Sequence, residues 1–173
     1  MKELPDLDQY RPNVGICLMN RKGQVWLGKR VASSAAQKAY KYRWQMPQGG
    51  VDAGENIEEA AARELHEESG VRSARLLFTT PGWLVYDFPT DYRARKRDRW
   101  RGQKQKWALM LFEGEDSEID LDCHSQAEFC EWRWADLEGV PDLVVPFKRD
   151  VYRSLVRGFA PMARFVAAGG LAP

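Results

Sequence analysis

The sequence is poor in cysteine and histidine, and it has no long apolar run. Its 173 residues include 3 cysteines and 2 histidines, and Cys17, Cys123 and Cys130 show no CxxC spacing. An odd, scattered set of cysteines argues against a disulfide framework and against a zinc site. No stretch approaches the ~20 apolar residues that span a bilayer. The first residues also lack the apolar core of a signal peptide, so we expect a cytoplasmic protein.

The bulk composition is that of a folded, globular chain. Hydrophobic residues make up 44% of the sequence and aromatic residues 12%, which is not the composition of a disordered protein. The length suits one domain with an ordinary core. We therefore expect a single domain over residues 8–160, followed by a C-terminal tail over residues 161–173.

Charge is balanced overall but unevenly distributed. The net charge is +1, which by itself identifies no partner. Residues 55–68 contain six glutamates and one arginine, whereas residues 93–106 contain eight basic residues and one aspartate. An acidic and a basic cluster in one small domain suit a site for metal and phosphate, and they equally suit two solvated surfaces. Charge alone leaves both interpretations open.

Short apolar segments separated by turn residues predict a series of strands with two helices. We predict a hairpin from residues 14–19 and 24–28, because the turn signal Asn-Arg-Lys-Gly lies between them. A short extended piece is predicted at residues 44–47, and further strands are predicted at residues 75–80, 83–88, 106–112 and 128–134. Helices are predicted at residues 57–69 and 151–166, the second perturbed at Pro161. Residues 31–43 and 90–105 are predicted to be connections, of which the second is long and polar.

The helix over residues 57–69 has local signals at both ends. Asn56 suits the N-cap position, and Glu59 three residues later completes a capping box. Gly70 suits the position just after the helix, where a left-handed conformation is common. At 100° per residue, small and aliphatic side chains define one apolar face, formed by Ile57, Ala60, Ala61 and Leu65.

Three glutamates lie on or beside that apolar face. Glu64, Glu67 and Glu68 have i, i+3 and i+4 spacing, at which like charges repel. Partly buried carboxylates are also costly unless they are paired. A divalent cation removes this conflict, and carboxylate oxygens together with water and phosphate are the ligands that Mg²⁺ prefers. For the helix taken by itself, a solvated glutamate-rich face remains the alternative.

Residues 49–71 form a longer pattern around this helix. They read Gly49-x5-Glu55-x7-Arg63-Glu64-Leu65-x-Glu67-Glu68-x-Gly70-Val71. This stretch resembles the Nudix box at every fixed position. The resemblance implies an α/β fold, a Nudix-type α/β/α sandwich with a mixed β-sheet, in which the box forms a loop, a helix and a second loop. It also implies a hydrolase that cuts pyrophosphate bonds with Mg²⁺, or with Mn²⁺ or another divalent cation.

The resemblance assigns roles to individual residues of the box. It implies a set of catalytic metal ligands formed by the carbonyl of Gly49 and the carboxylates of Glu64, Glu67 and Glu68. It also implies that Glu55 and Arg63 brace the loop against the helix through hydrogen bonds, so that they support the ligands without binding the metal.

Similarity continues outside the box, over roughly residues 8–157. The segments at residues 10–16, 44–50, 102–107, 128–134 and 147–152 are similar to the bacterial RNA pyrophosphohydrolases, a group also described as (di)nucleoside polyphosphate hydrolases. This resemblance implies an enzyme that converts the 5′-triphosphate or 5′-diphosphate end of RNA to a monophosphate and so initiates RNA decay. It is also compatible with a protein activator.

Other functions remain open at this point. A dinucleoside polyphosphate hydrolase of the diadenosine tetraphosphate type, or a hydrolase of small nucleotides, would use the same chemistry. A catalytically silent Nudix module that only binds RNA or nucleotide is the alternative from another class, and the intact glutamate set argues against it. An isomerase on the same fold is less compatible with the segments outside the box.

The resemblance also implies contacts to the substrate and one further metal ligand, Glu128. The expected substrate-binding residues are basic or aromatic: Arg30, Lys104, Lys106 and Lys148 for phosphates, and Tyr86 and Phe147 for stacking on bases. His66 lies opposite the glutamates on the helix and His124 has no partner nearby in sequence, so we expect neither to be catalytic. The extra basic residues of segments 31–43 and 93–101 suit further phosphates, an RNA backbone or a protein partner.

Overall fold

The computed structural model describes residues 5–32, 41–90 and 99–171, and the structural statements below concern these residues. They form one mixed sheet of eight strands with two long helices. The strands are β1 (Tyr10–Met19), β2 (Val25–Arg30), β3 (Trp44–Gln45), β4 (Gln48–Gly50), β5 (Ala74–Thr79), β6 (Leu84–Asp87), β7 (Gly102–Phe112) and β8 (Phe129–Ala135). The helices are α1 (Ile57–Ser69) and α2 (Arg149–Ala167).

Strand β1 is the centre of the sheet. It pairs in parallel with β7 along its whole length and antiparallel with β2 and β4. Strands β3 and β8 extend the sheet antiparallel to β2, and β5 and β6 both pair antiparallel with β7. Parallel pairing within a mixed sheet requires covered faces, which the two helices provide.

The core lies in two layers because side chains alternate across the sheet. In β7, Trp107 and Leu109 belong to the hydrophobic cluster that contains the buried face of α2. Their neighbours Ala108 and Met110 belong to the cluster that contains the buried face of α1. The expected α/β/α sandwich with a mixed sheet is therefore confirmed.

Helix α1 begins and ends at the predicted residues. The Asn56 side chain accepts hydrogen bonds from the backbone of Glu58 and Glu59, and the capping box with Glu59 is complete. Gly70 follows the helix with φ +75°, a left-handed conformation that glycine adopts without steric cost. Local sequence signals thus fix the length of the helix that carries the three glutamates.

Several predicted strands have different bounds. Strand β7 begins at Gly102 instead of residue 106, because its polar first half pairs with both β1 and β6. Of the piece predicted as extended over residues 44–47, only Trp44–Gln45 forms a strand, β3, and a further strand, β4, follows it at Gln48–Gly50 and pairs with a different neighbour. The first half of β7 and strand β4 contain polar side chains, so a search for alternating apolar residues does not find them.

Helix α2 continues through Pro161, where the sequence predicted a perturbation, and ends at Ala167. Pro161 and Arg157, whose carbonyl loses its helical partner, both lie on the exposed side, where water can satisfy that carbonyl. Beyond the proline, Ala163 and Val166 are buried against the sheet. The helix therefore belongs to the folded unit as far as Ala167, whereas the sequence predicts a tail over residues 161–173. No helix in the described part of the chain is long and apolar enough to cross a membrane.

We predict that a chain ending at Ala160 is less stable than one ending at Ala167. The shorter chain loses the burial of Ala163 and Val166, which corresponds to roughly 2–4 kcal/mol of unfolding free energy. Urea unfolding followed by circular dichroism measures the difference. Equal unfolding midpoints for the two chains would place the boundary at residue 160 after all.

Candidate metal and phosphate site

A cleft of about 320 Å³ opens beside α1. Three parts of the chain form it: helix α1, the end of β2, and the segment that leads into β8. Its lining consists of Arg30, Val31, Glu64, Glu67, Glu68, His124, Gln126, Ala127 and Glu128. The sheet register is what brings these distant parts together, because β2 pairs with β8 and places Arg30 opposite Phe129.

Glu64 is packed against the backbone of β4. A Cβ atom added to Gly49 would lie 1.8 Å from the carboxyl carbon of Glu64, so a larger residue at this position would displace the carboxylate. Burial raises the pKa of Glu64, although Arg63 donates a hydrogen bond to its Oε1 at 2.7 Å. The glycine of the box is therefore needed for space, next to the carboxylate itself.

Glu68 is the most buried carboxylate of the cleft, with 5% of the residue exposed. Its Oε2 accepts a hydrogen bond from the backbone N–H of Gln48 at 3.0 Å. Its Oε1 is buried and has no hydrogen-bond partner among the described residues. Burial, followed by the negative charge of Glu128, holds the pKa of Glu68 well above its usual range. A buried carboxylate oxygen without a partner is costly, and it calls for a cation or a donor.

Glu67 and Glu128 form the more exposed side of the cleft. The Glu128 side chain is 49% exposed, and its Oε2 lies 3.8 Å from Nη2 of Arg30. The backbone carbonyl of Glu128 accepts a hydrogen bond from the N–H of Val31 at 2.8 Å, which joins the start of β8 to the end of β2. Oε2 of Glu67 lies 3.5 Å from Nη1 of Arg63.

The four carboxylates share the cleft without converging on one point. Among the described residues, no three His, Cys, Asp or Glu side chains stand close enough together to hold a metal ion as they are placed. Like charges that face the same space repel, which favours such a separation. The donor set nevertheless consists of hard carboxylate oxygens, the type that suits Mg²⁺.

Arg63 joins the glycine-rich loop to helix α1. Its Nε and Nη2 atoms donate to the Glu55 carboxylate at 2.8 Å each, and Nη2 also donates to the carbonyl of Gly50 at 2.9 Å. Glu55 in turn accepts from the backbone N–H of Asp52 at 3.0 Å. The hydrogen bonds from Arg63, and then that from Asp52, lower the pKa of Glu55 to about 2.

Lys148 lies beside the cleft, just before α2. Only 6% of this residue is exposed, and its Nζ lies 5.4 Å from the centre of the Tyr86 ring. Burial lowers the pKa of Lys148 to about 7; the positive charge of Arg30 lowers it further, and the charges of Glu68 and Glu128 oppose the shift. The structure thus brings two of the expected phosphate-binding residues, Arg30 and Lys148, close to the carboxylates.

Tyr86 does not offer an open stacking surface. Its ring is buried in the cluster on the α2 side, where it contacts the rings of Phe88 and Phe147, and its hydroxyl donates to Gln103. The expectation that Tyr86 stacks on a base is corrected, because these side chains and Lys148 pack against the ring. Phe147 is only partly buried.

Lys104 and Lys106 stand apart from the cleft lining. Both ammonium groups lie 5.5 Å from the centre of the Trp83 ring, and that of Lys106 also donates to the carbonyls of Thr80 and Pro81. Of the basic run at residues 93–101, positions 93–98 lie outside the described residues. Arg101 forms an ion pair with Asp87 at 2.8 Å.

The cleft lining includes residues that the sequence did not indicate, and His124 is the titratable one among them. His124 lines the cleft together with the glutamates, although it was not expected to take part. Its neighbours on α1 are about sixty positions away in sequence, so only its closeness to Glu128 could have suggested this position. His66, by contrast, bonds to the Gly70 carbonyl and to Arg72 at the end of α1, outside the lining.

Comparison with known proteins gives consistent results. The family model described as NUDIX domain matches residues 9–155. The RNA pyrophosphohydrolase of Caulobacter vibrioides (strain NA1000 / CB15N) is 51% identical over 166 residues, which cover 95% of this chain and 93% of that protein. The RNA pyrophosphohydrolase of Rhodopseudomonas palustris (strain HaA2) is 46% identical over 157 residues, which cover 89% and 93%.

Solved structures share the fold at low sequence identity. The MutT protein from Methanosarcina mazei Go1 has a TM-score of 0.56 at 22% identity, over 86% of this chain and 94% of that one. The dihydroneopterin triphosphate pyrophosphohydrolase of E. coli has a TM-score of 0.58 at 16% identity, over 86% and 98%. At these identities the likeness concerns the fold alone.

We predict that the pairing of Glu55 with Arg63 stabilises the protein in a pH-dependent way. The pKa of Glu55 falls from 4.5 to about 2 on folding, so the carboxylate stabilises the fold above about pH 4.5, and this is lost as the pH falls towards 2. The difference in unfolding temperature between the wild type and Glu55→Gln should therefore shrink on acidification. In an Arg63→Ala background this pH-dependent difference should be smaller. A difference that stays constant from pH 7 to pH 3 would contradict the pairing.

Proposed function

The chain belongs to the NUDIX family, and we propose on this basis that it hydrolyses pyrophosphate bonds at the 5′ end of triphosphorylated or diphosphorylated RNA. The products would be a 5′-monophosphate end and inorganic phosphate or pyrophosphate, and the reaction would initiate RNA decay. The proposal is supported by the identity of about half the residues with RNA pyrophosphohydrolases over nearly the whole chain. Hydrolases of this family generally depend on a divalent metal ion.

The main observation in support of this function is the buried environment of the Glu68 carboxylate. One of its oxygens is buried without a partner in a cleft that Glu64 and Glu128 also line. A domain that only binds RNA gains nothing from carboxylates that repel both one another and the phosphates. A cation between carboxylates and phosphate resolves both repulsions. The cleft therefore supports hydrolysis more than binding alone.

The residues present suit Mg²⁺. In this proposal the ion is held by the carboxylates of Glu64, Glu67, Glu68 and Glu128, with the Gly49 carbonyl as a further ligand. When bound, Mg²⁺ neutralises phosphate charge and lowers the pKa of a coordinated water. Mn²⁺ has similar ligand preferences and is expected to substitute.

The protein's own part is to hold these ligands in place. Arg63 ties Glu55 and the Gly50 carbonyl to the same helix that carries the glutamates, which keeps the loop against α1. The Gln48 N–H fixes one oxygen of Glu68 and leaves the other for the ion. Such support keeps ligands oriented during the reaction without a cost at the moment of catalysis.

Arg30 and Lys148 are proposed to bind the substrate's phosphates. Arg30 lines the cleft next to Glu128, and the guanidinium fork suits phosphate oxygens. Lys148 is buried and has a lowered pKa, so a nearby polyphosphate would favour its charged form. Phe147, which directly precedes Lys148 in the chain, is the remaining candidate for stacking on a base.

We predict that Glu67→Gln and Glu68→Gln each lower kcat by at least ~10²-fold, since each removes a charged ligand that the reaction needs. Glu58→Gln is the matched control, because Glu58 lies in the first turn of the same helix and is exposed. Rates are measured by release of phosphate or pyrophosphate from 5′-triphosphate RNA. If both variants turn over like the wild type, α1 does not carry the active site.

Substrate choice is tested with a panel of 5′-triphosphate RNA, 5′-diphosphate RNA, diadenosine tetraphosphate and ADP-ribose. We expect the highest kcat/KM for the RNA ends, complete loss of activity in EDTA, and recovery with Mg²⁺ or Mn²⁺. A dinucleoside polyphosphate hydrolase is the competing function, and it would be favoured by faster turnover of diadenosine tetraphosphate. Full turnover in the chelator would contradict the metal-dependent mechanism.

A further inference from the structure

Arg43 fastens the end of β2 to the chain that enters β3. Its Nε donates to the carbonyl of Arg30 at 3.0 Å, and its Nη2 donates to the same oxygen. In the reverse direction, the N–H of Arg30 donates to the carbonyl of Arg43 at 2.9 Å. The two residues are therefore joined by three hydrogen bonds, two of them from a charged donor, which are the stronger kind.

The bonded carbonyl lies where the sheet is irregular and the cleft begins. The register between β2 and β8 shifts between Lys29 and Arg30, so the ladder is irregular where β2 ends. The next residue, Val31, donates its N–H to the carbonyl of Glu128. Arg43 is thus bonded to Arg30, and the next residue, Val31, is bonded to Glu128. Arg30, Val31 and Glu128 all line the cleft.

The guanidinium of Arg43 contacts groups of the protein itself. Arg43 is not part of the cleft lining, and its Nη2 also lies 3.6 Å from Sγ of Cys130. From the sequence, the basic residues of segment 31–43 suit further phosphates, an RNA backbone or a protein partner. The guanidinium of Arg43 instead donates to a carbonyl of the protein itself, that of Arg30.

We propose that Arg43 is a positioning residue for hydrolysis, which acts by holding Arg30 at the wall of the cleft. The proposal rests on the function proposed above, since it assigns Arg30 to phosphate binding. Without the Arg43 side chain, the two guanidinium bonds to the Arg30 carbonyl are lost and only the main-chain bond between the two residues remains, so the Arg30 side chain samples more positions relative to the phosphates. Small displacements of this kind are costly for a reaction that depends on orientation.

A double-mutant cycle between Arg43 and Arg30 tests the inference with 5′-triphosphate RNA as substrate. Arg43→Ala should lower kcat/KM by roughly 10-fold, mainly through KM, because the loss acts through a phosphate-binding residue. In an Arg30→Ala background the same substitution should change kcat/KM by less than about 2-fold, since residues that act through one another are not additive. The same factor in both backgrounds would overturn the proposal.

Lys41→Ala is the matched control for charge. Lys41 belongs to the same segment and is exposed, and its Nζ lies 5.5 Å from the centre of the Tyr42 ring. If the segment only attracts RNA through its charge, Lys41→Ala and Arg43→Ala should raise KM alike, and both effects should fade with salt. That outcome would also refute positioning. We expect instead that Lys41→Ala retains wild-type kcat/KM.

Arg43→Lys separates positioning from a general loss of stability. Lysine keeps the charge but cannot present two fixed N–H groups to one carbonyl, so kcat/KM should fall between the wild type and Arg43→Ala. If Arg43→Ala does not fold, Arg43→Lys replaces it in the double-mutant cycle with Arg30→Ala. The proposal would be rejected if the loss of activity across these variants followed the fall in unfolding temperature and did not depend on whether Arg30 is present.

Failure of the proposed function gives a different result. In that case the wild type itself does not process the RNA end but hydrolyses diadenosine tetraphosphate. The cycle is then measured on the dinucleotide, and coupling between Arg43 and Arg30 there would support positioning while the RNA substrate is abandoned.

Discussion

The site depends on the joint that Arg63 makes between loop and helix. One guanidinium bonds the Glu55 carboxylate, the Gly50 carbonyl and the Glu64 carboxylate, and Glu67 lies within 3.5 Å. Helix α1 is fixed by caps at both ends. The hydrogen bonds of Arg63 therefore hold the glycine-rich loop in a defined position relative to the helix. The Gly49 backbone can then lie against Glu64 without a side chain between them. Loss of the joint would free the loop and the carboxylates together.

Burial opposes charge on three groups at or beside the cleft. It raises the pKa of Glu64 and Glu68 and lowers that of Lys148, so in each case it favours the neutral form. Such strain persists only where the rest of the fold enforces it, and it is typical of sites that bind ions and charged substrates. In this fold the enforcing elements are the two apolar layers of the sheet, which hold α1 and α2 on opposite faces.

Two kinds of support surround the carboxylates. Arg63 acts inside the box, through contacts between residues at most 13 positions apart. The Arg30–Glu128 wall is supported by pairing between β2 and β8, about 100 positions apart, and by Arg43. The first kind of support is local in sequence, whereas the second depends on the pairing of distant strands.

The sequence alone determined the parts of this protein that depend on local spacing. The limits of α1 followed from Asn56 and Gly70, and the shared face of the glutamates followed from helical periodicity, since i, i+3 and i+4 contacts need no knowledge of the fold. Tertiary structure decided everything that depends on strand register and burial. It brought Arg30, His124 and Glu128 to the cleft, buried the Tyr86 ring, and turned Arg43 towards a carbonyl. The physical reason is that pairing between distant strands sets these neighbours, and no short-range pattern encodes which strands will pair.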